Sequence, residues 1–216
     1  MHWVERSTNA RQTGDGPAPL LVLLHGIGAD ENDLFPLVRR LDPRLASVSL
    51  RAPHAYSVGY AWFHIDIRPG GEVVPDVPQA RATLAALVHW LEEAPARLGT
   101  DPQRTFLLGF SQGAMMALGV LGTVPERLGG VIALSGRFPA GLFAAPAPAD
   151  AVARVPVLVA HGSYDDLLPI ANGRATRDAL QPLVRDLTYR EFPIAHTLSE
   201  EELALVAQWL GERVRR

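Results

Sequence analysis

Four aliphatic runs, each too continuous to be half-exposed, constrain what this chain can fold into. They are Pro19-Leu20-Leu21-Val22-Leu23-Leu24-His25-Gly26, Thr105-Phe106-Leu107-Leu108-Gly109-Phe110-Ser111, Gly130-Val131-Ile132-Ala133-Leu134-Ser135-Gly136 and Val155-Pro156-Val157-Leu158-Val159-Ala160-His161-Gly162. A weaker fifth, Leu187-Thr188-Tyr189-Arg190-Glu191-Phe192, follows, and Ala46–Arg51 is also strand-like. A strand with one face in water alternates apolar and polar residues, whereas a strand covered on both faces does not, and such strands belong to parallel sheets. Between the runs, Val77–Leu98, Gln112–Leu121, Gly173–Val184 and Ser199–Val214 carry apolar residues at helical spacing. Ser199 followed by three glutamates reads as an N-cap with acid in the first turn. Strands alternating with helices predict βαβ crossovers and an α/β fold: a mostly parallel central sheet with helices on both faces.

Composition narrows the function. The chain has 216 residues, 48% of them hydrophobic, which excludes disorder for most of it and allows a sizeable core. No repeat or linker divides it, so residues 1–216 are read as one domain. A net charge of −3 offers no basic field for nucleic acid, and zero cysteines exclude a disulfide scaffold. The N-terminus lacks a basic stretch followed by an apolar one, and the Leu20–Leu24 run falls far short of the roughly 18–20 residues of a membrane span. A cytoplasmic protein with no membrane span is expected. Two long excursions, His54–Pro78 and Arg137–Val152, are expected to be binding walls, lids or floppy loops. Their apolar residues are also candidates for a homodimer patch.

Gly109-Phe110-Ser111-Gln112-Gly113 fits G-x-S-x-G between a buried strand and a helix. At such a turn the serine backbone is strained and its hydroxyl stands above the carboxyl edge of the sheet. Ser111 is therefore the candidate nucleophile, and the N–H of Gln112 a candidate donor to an oxyanion. A serine needs a base and an orienting carboxylate, which follow it in chain order as acid and then histidine. Of seven histidines only His161 and His196 lie beyond Ser111, and His161 comes too early for an acid to precede it usefully. His196, past the last strand, is the candidate base. In the loop after Val155–Ala160, Asp165 and Asp166 both qualify as the acid by position. After the first strand, Gly26-Ile27-Gly28 makes Ile27 N–H the second candidate oxyanion donor, with His25 structural.

His25-Gly26-Ile27-Gly28 with Asp33-Leu34, Trp62-Phe63, Gly109-Phe110-Ser111-Gln112-Gly113-Ala114, Ala133-Leu134-Ser135-Gly136, His161-Gly162-x-x-Asp165 with Pro169, and His196 before an acidic helix resemble the phospholipase/carboxylesterase family of α/β hydrolases. The resemblance runs from about Leu20 to Leu210. It implies the α/β-hydrolase fold, with Ser111, Asp165 (not Asp166) and His196 as the catalytic set and Ile27 and Gln112 as the oxyanion hole. It also implies that Trp62 and Phe63 line an acyl pocket, although His64 stands where the family usually has Asp.

The expected reaction is two-step acyl transfer on a small or medium ester. His196 takes the Ser111 proton, the serine oxygen attacks the carbonyl, and water then resolves the acyl-enzyme. Leu142, Phe143, Leu167 and Leu168 are further candidates for an apolar substrate site. No metal or cofactor is called for, since no H-E-x-x-H or clustered ligand spacing occurs. Acyl thioesterase or lysophospholipase activity on longer chains is an alternative, and a silent hydrolase-fold binding protein a second. A peptidase would normally need an added domain, and a dienelactone-type hydrolase would need a cysteine.

Overall fold

The apolar runs become the middle of one seven-stranded sheet. The computed structural model describes residues 1, 3–10, 16–69, 73–143 and 147–215. Strands β1 (Glu5–Thr8), β2 (Ala18–Leu24) and β3 (Ala46–Leu50) come first. Four three-residue strands follow: β4 (His54–Tyr56), β5 (Gly59–Ala61), β6 (Ile65–Ile67) and β7 (Val73–Pro75). The remainder is α1 (Val77–Leu98), β8 (Thr100–Phe110), α2 (Gln112–Leu121), β9 (Leu128–Leu134), α3 (Ala149–Val152), β10 (Val157–Gly162), α4 (Ile170–Leu180), β11 (Leu187–Phe192) and α5 (Glu200–Val214). The sheet order is β1-β3-β2-β8-β9-β10-β11. Every pairing in it is parallel except β1 with β3.

Burial on both faces explains the unbroken apolar runs. In β2, Leu20, Val22 and Leu24 face the layer holding α1 and α2, while Leu21 and Leu23 face Val206, Trp209 and Leu210 of α5. All five side chains of Leu20–Leu24 are fully buried, each contributing about 1.5–3 kcal/mol relative to exposure. Helix α1 begins where Asp76 accepts a hydrogen bond from Gln79 N and ends at Gly99 in the left-handed region. Among the described residues, no helix is long and apolar enough to cross a membrane.

Three features depart from the sequence-based expectation. Glu5–Thr8 carries no apolar run, yet pairs with β3 as an antiparallel edge strand, which needs only one neighbour and tolerates polar side chains. His54–Pro78 is not an open loop: β4–β5 and β6–β7 are hairpins within it. Helix α4 starts at Ile170, three residues before the expected Gly173. The centre of the first excursion (Gly70, Gly71, Glu72) and part of the second (Ala144, Ala145, Pro146) lie outside the described residues.

The start of α5 carries a buried acid. Ser199 caps the helix by accepting a hydrogen bond from Glu202 N at 3.1 Å, as the N-cap reading expects. Glu202 itself turns inward and is fully buried, and neither carboxyl oxygen has a hydrogen-bond partner among the described residues. Burial pushes its pKa from 4.5 up to about 7, opposed only by the nearby Ser199 backbone. The folded chain thus holds this proton more tightly than the unfolded one. Its stabilising share is complete below pH 4.5 and is lost as pH rises through about 7. Urea titrations should show Glu202→Gln gaining on the wild type across that window, by roughly 3 kcal/mol at most. Parallel pH profiles for the two proteins would contradict it.

Candidate active site

The carboxyl ends of β2, β8, β10 and β11 bring the motif residues together. At the end of β8, Ser111 adopts φ 54°, ψ −114°, a conformation that L-residues avoid. Gly113 makes the turn possible by close approach: a Cβ there would stand 2.0 Å from the Leu24 carbonyl oxygen. The loop after β11 carries His196 across to it. His196 Nε2 lies 3.0 Å from Ser111 Oγ, and His196 Nδ1 lies 2.6 Å from Asp165 Oδ2. The ring of Phe110 packs on the imidazole, centroids 5.0 Å apart.

Asp165 is held for this geometry. Its side chain is fully buried, and Oδ1 accepts hydrogen bonds from Leu167 N at 3.0 Å and Leu168 N at 2.8 Å. Oδ2 is left to face His196. Asp166, the alternative by position, is exposed. His161, set aside from the sequence, also reaches this acid: its Nε2 donates to Leu168 O at 2.7 Å and stands 3.5 Å from Asp165 Oδ2. Gly173 of α4 lies against the His161 ring, where a Cβ would come within 2.7 Å. The turn after β10, in which Asp165 N donates to Gly162 O at 3.3 Å, brings the side chains of His161 and Asp165 together.

The side chain of Gln112 has a role that the motif did not reveal. Its Oε1 accepts from Trp62 N at 2.8 Å and its Nε2 donates to Phe63 O at 2.7 Å, stapling the first excursion to the start of α2. Gln112→Ala leaves a buried N–H and a buried carbonyl unpaired, at about 1–3 kcal/mol each. A loss of about 2–4 kcal/mol in urea unfolding is expected, and a loss under 1 kcal/mol would refute the staple. His25 is structural by its contacts: Nδ1 donates to Gly26 O at 2.7 Å, and Nε2 accepts from Ala52 N at 3.0 Å. Burial lowers its pKa, consistent with a neutral ring. Ile27 and Gln112 sit at the ends of β2 and β8, and no hydrogen-bond acceptor takes either backbone N–H among the described residues.

The pocket residues fare differently. Trp62 and Phe63 have 0% and 1% of their surface exposed and belong to the core. Their side chains face inward, and their backbone atoms meet the site through Gln112. Trp62 Nε1 donates to His25 O at 2.8 Å, which locks the indole inward. Leu142 lines a cleft of about 440 Å³ together with Met115 of α2. Phe143 lies instead over Gly119 of α2. Leu168 is half-buried and serves the acid loop through its backbone, while Leu167 is 72% exposed.

A mostly parallel sheet flanked by helices, with a strained serine at a strand-to-helix turn, defines an α/β hydrolase. The model of the phospholipase/carboxylesterase family matches residues 9–213, and the chain belongs to that family. It is an ester hydrolase by class. A probable carboxylesterase of Oryza sativa subsp. japonica is 30% identical over 183 residues, covering 80% of this chain and 77% of its own. Acyl-protein thioesterase 1 of Gibberella zeae is 32% identical, covering 90% of each. Among solved structures, esterase PE8 superposes with a TM-score of 0.82 at 28% identity, covering 98% of this chain and 99% of its own.

Proposed function

We propose that the chain hydrolyses small to medium carboxylic esters through a Ser111 acyl-enzyme. The observation that carries this reading is the continuous chain from Ser111 Oγ to His196 Nε2 at 3.0 Å and from His196 Nδ1 to Asp165 Oδ2 at 2.6 Å. With Nδ1–H donated to a buried carboxylate, Nε2 carries the lone pair that accepts the serine proton. The serine oxygen bonds to the carbonyl carbon, and the oxyanion is held by Ile27 and Gln112 N–H, each donor accounting for about 3–4 kcal/mol of barrier. His196 then gives its proton to the departing alcohol. In the second step it activates a water that releases the acid and restores the serine.

The named similarity to acyl-protein thioesterase 1 makes acyl thioesters the second substrate class to try. A p-nitrophenyl ester series of increasing chain length, run beside matched thioesters, ranks the two. The mechanism is tested by a fluorophosphonate. One adduct per chain, mapped to Ser111 by mass spectrometry and abolishing hydrolysis, is expected. Full labelling elsewhere, or activity surviving complete modification of Ser111, would refute it.

A further inference from the structure

One turn along α2 from Ser111, on the sheet face covered by α1 and α2, the 440 Å³ cleft is lined by Val77, Met115, Phe138, Leu142 and one charged side chain, Arg137. The neighbourhood is set by backbone contacts. Ser111 N donates to Leu134 O at 2.9 Å, and a Cβ on Gly136 would lie 3.2 Å from Ser111 O. Arg137 is the next residue, so its side chain starts next to the turn that carries the nucleophile.

No hydrogen bond or ion pair holds the Arg137 guanidinium among the described residues. Arg39 and Arg185 also lack side-chain partners, but both are exposed and solvated by water. Arg137 is half-buried in an otherwise apolar wall. A cation placed there loses part of its hydration without compensation until an anion arrives. Arg81 of α1 donates to Leu142 O at 3.1 Å, pinning the same wall and adding positive charge on its outer side.

The direction of the substrate follows from where the base stands. His196 reaches Ser111 from the other face of the sheet, packed with Phe110 beside a smaller cleft of about 290 Å³ that includes Leu34 and Leu198. The leaving group must lie within reach of His196 Nε2 to take its proton. The acyl chain is then directed to the opposite side, toward Arg137. We infer that Arg137 selects substrates whose acyl chain bears a carboxylate, the half-esters of dicarboxylic acids. The planar guanidinium binds that carboxylate by two parallel N–H···O bonds, as arginine does in bidentate pairs. The inference rests on the reading of Ser111 as nucleophile.

The experiment compares the p-nitrophenyl half-ester of adipic acid with the same molecule capped as its methyl ester. Wild-type kcat/KM should favour the free carboxylate by about 10- to 100-fold, the range of one charge-assisted pair. That ratio should fall to near one in Arg137→Gln and be partly retained in Arg137→Lys, which keeps the charge but loses the fork. Added salt should narrow the wild-type ratio. A wild-type ratio at or below one overturns the inference, as does an unchanged ratio in Arg137→Gln. Ser111→Ala separates the two readings. If the capped ester is cleaved in a Ser111-dependent way without preference for the carboxylate, only the inference fails. If wild type cleaves neither ester, the hydrolase reading falls and the inference with it.

Discussion

Ser111→Ala is expected to reduce kcat on a p-nitrophenyl ester by about 10⁴- to 10⁶-fold while leaving the fold intact. The size follows from what is removed. In the proposed mechanism there is no covalent intermediate without Oγ, and His196, 3.0 Å away, loses the group whose proton it would accept. What remains is substrate binding and the oxyanion donors, which by themselves sustain only modest acceleration over water. Alanine is also smaller than serine and keeps the same backbone demand. Relief of the positive φ at this position is not on offer, because the turn between β8 and α2 enforces it. Stability by urea unfolding should therefore stay within about 1 kcal/mol of wild type. A variant retaining a tenth of the activity would eliminate the nucleophile assignment.

Asp165→Asn should lower kcat by about 10⁴-fold, whereas Asp166→Asn should stay within a fewfold of wild type. The two aspartates are adjacent in sequence and opposite in environment. Oδ1 of Asp165 is committed to the N–H groups of Leu167 and Leu168, so an asparagine keeps its carbonyl oxygen there and turns its NH₂ toward His196. A donor facing Nδ1 forces the proton onto Nε2. The imidazole then points a hydrogen, instead of a lone pair, at Ser111, and the base is lost without a change in packing. The defect should ease as pH rises, when serine is more readily deprotonated by other means. Equal losses in both variants would show that the carboxylate acts through loop structure and not through the imidazole.

The strands of this chain were legible because burial on both faces leaves a continuous apolar run, and Leu20–Leu24 and Val157–Ala160 could hardly be anything else. The serine motif was legible because it joins such a strand to a helix. Edge strand β1 and the hairpins of 54–78 were not, since short half-exposed strands of mixed composition carry no periodicity distinct from loops. Trp62 and Phe63 show the limit from the other side. Aromatics line cores and pockets alike, and hydrogen bonds of their backbone to Gln112, a residue about fifty positions away, hold them inward.

The amino-acid order alone determined which groups are available and in what succession: a serine at a sharp turn, an acid pair after a late strand, a histidine beyond the last one. Which aspartate meets the imidazole, that His161 backs it, and that Arg137 has no side-chain partner among the described residues were decided by tertiary packing. The reason is physical. Residue type and spacing report local conformation and burial, while the choice between two equivalent side chains depends on distances set by segments remote in the chain, and those exist only once the sheet has closed.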